Sequence, residues 1–380
     1  MTDLQNILNE AIARHNVPGA VALIGNSTTT LASAAAGFSD PSSNKVMTRE
    51  SLFQIASMTK AITSVAAMQL VERGVLALDA PIGNILPELS EPSILTGFDA
   101  QGAPQTQPAE TAITLRYLLT HTSGLGYSFA SADMAKAQGD VQPGTKASLM
   151  APLMFEPGTD WLYGVGTDWV GLAVEAASGQ SLGEFMTENI FGPLKMNDTG
   201  FAVAPENQDR RTALHAKIGD GFAAFPLEIG GGDAAEFQSG GGGLYSTAPD
   251  YLKFMQMILN QGKCGETQIL SPASIAEMSR NQTGTIRAGA MQTVLPQIAN
   301  DFDCFPEMDT RFGLGFLINP ETGPDGRAAG SLTWAGIANC YYWIDPTHDI
   351  AGVVLMQYLP FADPGALEVF SQIEAAAYSA

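Results

Sequence analysis

The sequence predicts an α+β fold, with one antiparallel sheet built from both ends of the chain and a mostly helical lobe inserted between them. Three observations carry this reading. Strand-like runs cluster near the start (Gly19–Gly25 and Thr30–Gly37) and near the end (Phe312–Ile318, Ser331–Trp334, Cys340–Ile344 and Ile350–Gln357). The middle of the chain reads mainly by helical period. The tail, 364–379, is helical and spaces Leu367, Phe370 and Ile373 three apart, as a helix lying on a sheet requires. The implied division is residues 1–75 with 240–380 for the sheet lobe and 76–239 for the helical lobe.

Taken in order, residues 1–15 form an amphipathic helix with Leu4, Ile7, Leu8, Ala11 and Ile12 on one face. Asn26-Ser27-Thr28 is the polar turn between the first two strands. The run after Ser57 (Met58, Ala61, Ile62, Val65, Met68, Leu70) is helical, with Gly74 at its C-terminal cap. Residues 97–112, with Pro104 and Pro108, read as a surface loop. Thr114–Thr120 is helical and ends at His121-Thr122-Ser123-Gly124. Helices follow from about Thr167 to Ser178, over 184–191, and from Asp250 to Asn260. Residues 283–310 form a long irregular insertion, a candidate lid or rim.

One stretch carries chemistry. In Phe53-Gln54-Ile55-Ala56-Ser57-Met58-Thr59-Lys60, an apolar strand-like run turns into a helix, and Ser57 and Lys60 become neighbours on one helix face. A serine hydroxyl needs an adjacent base to become a nucleophile, and Ser-Lys is one such pair. The helix N-terminus aims N–H groups at any oxyanion formed there. The spacing alone leaves a second reading open, a capping serine with a solvated lysine. A second Ser-x-x-Lys, Ser42 to Lys45, sits in a turn with no helix behind it. Gly179-Gln180-Ser181-Leu182-Gly183 spells a nucleophile elbow, but no strand precedes it; Ser181 with Glu184 reads as a helix-capping box. His121 beside two hydroxyls reads as a helix terminus. The glycines at 230–232 and 240–243 indicate close backbone approach near a site.

Composition narrows the function classes. Of the residues, 45% are hydrophobic and 15% charged, which is globular. A net charge of −21 argues against nucleic acid and anionic membranes as partners. No run of 18 apolar residues is present, so no membrane helix is expected. Cys264, Cys304 and Cys340 show no pairing pattern, which fits a reducing, cytoplasmic setting. The four histidines match no metal spacing, so neither a metal nor a cofactor is expected.

Several motifs together resemble a known family. They are Ser57-x-x-Lys60, Leu119-Thr120-His121-Thr122-Ser123-Gly124-Leu125, Phe155-x-Pro157-Gly158-x-x-Trp161-x-Tyr163, Phe191-Gly192-Pro193-Leu194-Lys195-Met196, Gly240–Ser246 and Trp334-Ala335-Gly336. In this order, over nearly the whole chain, they resemble the serine β-lactamase and penicillin-binding-protein superfamily. Within it the chain is most similar to family VIII carboxylesterases, relatives of class C β-lactamases. The resemblance implies a β-lactamase/transpeptidase-like fold with Ser57 as nucleophile. It also implies that Lys60 and Tyr163 form a proton-relaying pair, leaving open which is the base. The backbone N–H groups of Ser57 and Ile337 would form the oxyanion hole. Trp334, Ala335, Gly336 and Val165 would line the substrate site.

Two departures from the family pattern tilt the expected substrate. Val165 stands where a β-lactamase carries Asn, and Trp334 where it carries Lys. Without that cation and amide, an anionic antibiotic loses partners and the rim suits neutral esters. The expectation is a serine hydrolase cleaving small or short-chain esters through an acyl-enzyme, with the segments 97–112 and 283–310 narrowing the cleft. The alternatives are a β-lactamase or D-amino-acid peptidase, an acyltransferase to an alcohol, a sensor that stays acylated, and an elbow hydrolase using Ser181 with His215 or His348.

Overall fold

The computed structural model describes residues 3–232 and 235–379. Met1 and Thr2, in the predicted N-terminal helix, lie outside the described residues. The main sheet has eight strands drawn from both ends of the chain. They are β1 (Gly19–Gly25), β2 (Thr30–Asp40), β3 (Lys45–Val46), β4 (Arg311–Phe312), β5 (Leu317–Ile318), β6 (Leu332–Gly336), β7 (Cys340–Asp345) and β8 (Ile350–Leu355). Their spatial order is β4-β5-β6-β7-β8-β1-β2-β3, and every pairing is antiparallel. The α+β class and the antiparallel sheet from the two termini are therefore what the chain forms.

Side chains alternate across the sheet with period two. Val21, Leu23, Val353 and Leu355 enter one core, which holds the helices α2 (Thr59–Glu72), α3 (Gly166–Ser178) and α4 (Ala248–Leu259). Ala20, Ala22, Ile24 and Val354 enter the other, under α1 (Leu4–His15) and α5 (Pro364–Tyr378). The alanines of β1 and β2 on that face let the two terminal helices lie close and pack on each other. Helix α2 is buried from Thr59 through Leu70, and its hydrophobicity runs all round, as a central helix requires. It ends as expected at Gly74, whose φ is 70°, with the Val75 N–H donating back to the Leu70 carbonyl.

Two expectations need correction. Phe312–Ile318 is not one strand. Residues 313–316 turn the chain, so that Arg311 pairs with Ile318 across a hairpin. Likewise, 97–112 is no plain loop: Ser93–Phe98 and Pro104–Pro108 pair as an exposed hairpin. Its Pro–polar alternation hid a strand whose N–H groups face a single neighbour, the edge position that tolerates proline.

Ser181 caps the helix Leu182–Met186. Its hydroxyl accepts from the Glu184 N–H at 3.3 Å, and the Glu184 carboxylate accepts from the Ser181 N–H at 3.0 Å. Ser181→Ala is expected to lower thermal stability by about 1 kcal/mol, the usual cost of a lost N-cap, and to leave hydrolytic activity intact. Calorimetry beside an ester assay checks both.

Candidate active site

The nucleophile position is built by strain and close approach. A short strand, Phe53–Gln54, leads into Ile55; Ala56 then adopts φ +46°, a left-handed conformation unusual for a residue with a side chain. Ala56–Met58 forms a single 3-10 turn and α2 follows at once. Gly336, at the end of β6, lies directly against this turn: a Cβ there would sit 2.4 Å from the Ile55 carbonyl oxygen. Only glycine lets β6 run this close, which brings Ile337, just past the strand, to the same cleft as Ser57.

The Lys60 side chain is 1% exposed. Its ammonium has three donors, and all three find acceptors: Ser57 Oγ at 3.2 Å, Tyr127 OH at 3.0 Å and the Gly241 carbonyl at 2.7 Å. The Gly241 peptide is fixed from its other side, because its N–H donates to Asp168 Oδ1 at 3.0 Å. The same oxygen accepts from Ser239 Oγ at 2.6 Å. A Cβ on Gly241 would stand 2.4 Å from Asp168 Oδ2, so the glycine run permits this contact.

Tyr163 lies beside Lys60, which faces its ring and not its oxygen. The lysine lies 4.8 Å from the centre of the Tyr163 ring, and the phenol hydrogen-bonded to Lys60 belongs to Tyr127. The Tyr163 oxygen instead accepts from Trp334 Nε1 at 3.2 Å. Tyr127, Tyr163 and Trp334 form a continuous aromatic wall, with ring centres 5.2 and 5.0 Å apart. Burial pushes the Tyr127 phenol well above its ordinary pKa, and the Asp168 carboxylate adds to this, so it stays protonated.

These side chains face one cleft of about 340 Å³. Ser57, Tyr163, Val165, Trp334, Ala335 and Ile337 all line it; Gly336 supports it from behind, against Ile55. The rim comes from 126–129, 138–149 and 227–231, with Met291 and Phe302 from the long insertion. The segment 97–112, most of which lies in that hairpin, contributes nothing to the lining, so its expected narrowing of the cleft does not occur. Among the described residues, the charged lining consists of Asp168 and Glu228. Glu228 is engaged by Arg211 and by the Tyr245 hydroxyl.

Sequence reasoning missed Tyr127, Asp168 and Ser239. The signal for Tyr127 was its place two residues past Leu125, in Leu125-Gly126-Tyr127, at the end of a motif already singled out. The four-glycine run pointed to Gly241 without its partners. Ser181, His215 and His348 lie outside the cleft lining. His121, φ 59°, is buried behind Tyr163 with ring centres 4.9 Å apart.

A serine and a lysine joined where a helix start meets strand β6 make this a serine-hydrolase-type β-lactamase fold. The chain belongs to the beta-lactamase family, whose model, described as Beta-lactamase, matches residues 4–377. It is 33% identical to the lovastatin esterase of Penicillium rubens over 322 residues, 81% of this chain and 80% of that one. It is 31% identical to the monacolin J acid methylbutanoyltransferase of Aspergillus terreus over 348 residues, 86% of this chain and 81% of that one. Among solved structures, the LovD6 mutant of simvastatin synthase from Aspergillus terreus superposes with a TM-score of 0.84 at 27% identity, covering 99% of this chain and 96% of that chain.

Burial, and then the nearby Lys60 charge, hold His121 well below its ordinary pKa of about 6.5, so it is neutral in the folded protein. Below that value the unfolded chain binds a proton that the folded one refuses. Stability is therefore expected to fall as pH drops through about 6.5. His121→Gln is expected to flatten that slope by up to one proton, measured by urea unfolding at several pH values. An unchanged slope would show that His121 is protonated in the fold.

Proposed function

We propose that the protein is a carboxylesterase of the family VIII type that cleaves neutral esters through an acyl-enzyme on Ser57. The observation carrying this reading is the Lys60–Ser57 hydrogen bond inside an apolar cleft that presents no lysine or arginine to a substrate among the described lining residues. Lys60 is the side chain within hydrogen-bond distance of Ser57 Oγ; with its amine neutral and its lone pair turned to Oγ, it takes the serine proton as Oγ attacks the ester carbonyl. The oxyanion is held by the Ser57 and Ile337 N–H groups, donors worth roughly 10²–10³ in rate each. Tyr127, held protonated, keeps Lys60 aimed. Tyr163, lining the cleft with its oxygen anchored by Trp334, faces the leaving alcohol and hands it a proton. Water then releases the acid: the Tyr163 phenolate takes a proton from the attacking water, and Lys60 returns its own to Ser57 Oγ as the acid leaves.

The absence of a cationic partner in the lining works against anionic β-lactams and carboxylate-bearing peptides. A second reading has a specific support: relatives of nearly the same identity, 33% and 31%, carry esterase and acyltransferase names, and both fates start from the same kind of acyl-enzyme. On this reading an alcohol replaces water in the second step.

Ser57→Ala is expected to lose roughly 10⁴-fold or more in kcat on a chromogenic butanoate ester. Wild type should turn over that ester faster than a cephalosporin. Adding a small alcohol and analysing the products separates the two fates: a new ester marks transfer, free acid alone marks hydrolysis. Full activity in Ser57→Ala, or faster cephalosporin cleavage, would sink the proposal. Tyr127→Phe, which removes one of the three Lys60 acceptors, is expected to lower kcat by about 10²-fold with KM little changed. Steady-state kinetics on the same ester reads it, and a variant with wild-type kcat would remove Tyr127 from the mechanism.

A further inference from the structure

Beside the cleft lies a second cavity of about 190 Å³, on the far side of strand β6. The two spaces share three walls: Phe302, Trp334 and Ala335. Helix α5 closes the far side with Leu367, Phe370, Ser371 and Glu374. For scale, a cavity of about 150 Å³ lined by apolar side chains accepts a benzene ring.

The polar feature of this cavity is Arg327, 1% exposed. Its Nε donates to Glu374 Oε1 at 2.5 Å and its Nη2 to Glu374 Oε2. The rings of Phe305, Phe370 and Trp343 surround the guanidinium at 5.2, 5.7 and 5.9 Å. Nη1 has no protein partner, although it is buried. Buried donors are nearly always satisfied, so an acceptor belongs there. Its chemistry follows from the charges. Glu374 already neutralises Arg327, Arg287 holds Asp303 at 2.6 Å, and Asp325 adds a further negative charge to the lining. A carboxylate is disfavoured in such a place, whereas a neutral oxygen is not. Phe302 stands at the wall between the spaces. Its backbone is paired in both directions with Met291, which also lines the cleft, and its ring lies 5.0 Å from that of Phe361.

We propose that this cavity is the far pocket of the active site: it receives, past Phe302, the distal end of a long ester and bonds a neutral oxygen on that end through Arg327 Nη1. The inference rests on the esterase reading and names its substrate class, an extended neutral ester with an apolar end carrying one ketone, ether or hydroxyl oxygen. The long end belongs to either the acyl or the alcohol half, and the test separates the two.

The test fills the pocket from α5 without touching the cleft or the Arg327–Glu374 pair. Ser371→Leu does so, and Leu367→Phe is the independent second variant. The substrates are nitrophenyl butanoate, nitrophenyl decanoate, a ketone-tipped nitrophenyl decanoate, and the decyl ester of butanoic acid followed by acid release. Both filled variants are expected to keep wild-type kcat/KM on nitrophenyl butanoate. They should lose about tenfold or more on the long esters of one half, a loss in the range that pocket complementarity commands. The wild-type preference for the ketone-tipped ester over plain decanoate should vanish with it. Phe302→Ala is expected to raise the long-to-short ratio. Equal long-to-short ratios in wild type and both filled variants would overturn the inference while leaving the esterase reading intact. Retained turnover in Ser57→Ala, or no ester turnover by wild type, would instead overturn the esterase reading, and the inference with it.

Discussion

Burying the Lys60 ammonium is the constraint on which the rest of the site depends. Taking an ammonium out of water costs several kcal/mol unless its donors are met by well-placed acceptors. Ser57 is one acceptor and lies on the same helix face. The others, Tyr127 and the Gly241 carbonyl, arrive from segments far away in sequence. Gly241 is fixed in turn by Asp168, so a carboxylate and an ammonium grip the N–H and the C=O of one glycine. Asp168 sits in the first turn of α3, directly after Tyr163 and Val165. One helix start therefore supplies a cleft wall, an aromatic side chain and the charge that balances Lys60. Within the four-glycine run, a Cβ on Gly241 would collide with the Asp168 carboxylate and one on Gly240 with the Thr167 carbonyl.

The same economy of charge shapes what the cleft receives. Tyr127 is held protonated and His121 neutral, each mainly by burial. Lys60 turns its donors inward, and the lining offers substrate an aromatic and aliphatic surface around one hydroxyl. Trp334, placed where a β-lactamase-like enzyme would offer a cation, spends its indole N–H on the Tyr163 oxygen. It thereby converts a carboxylate-recognising position into a wall that orients a phenol.

What the sequence made legible follows from range. Ser57 and Lys60 are three residues apart, so helix geometry alone joins them. Ser181 and Glu184 are likewise joined by local capping, which removes the elbow from contention. The alternating strands at both ends and the apolar α2 gave the sheet and the central helix, because period and burial are written in consecutive residues. Tyr127, Asp168 and Ser239 were not legible: their contacts, with Lys60, Gly241 and Asp168 respectively, span 67 to 73 residues and leave no spacing pattern. Tyr163 was placed by resemblance, and Tyr127 occupies the hydrogen-bonding position beside Lys60 that resemblance had reserved for it. The hairpin at 93–108 was hidden because proline and polar residues are compatible with an exposed edge.

The choice between hydrolysis and transfer is made after the acyl-enzyme forms, by whichever hydroxyl reaches it first. On the proposed mechanism the arrangement around Ser57 treats water and alcohol alike at the reacting atom, because the Tyr163 phenolate left by the first step takes a proton from either. Discrimination therefore has to come from the walls. Leu149, Val165, Phe237 and Trp334 give an alcohol's carbon skeleton a surface to bury, at roughly 25 cal/mol per Å² of apolar area, and give water nothing comparable. A small acceptor gains little from such walls and competes poorly with bulk water, whereas a large one gains several kcal/mol and overtakes it. Esterase and acyltransferase relatives at similar identity fit a partition governed by acceptor size and lining shape.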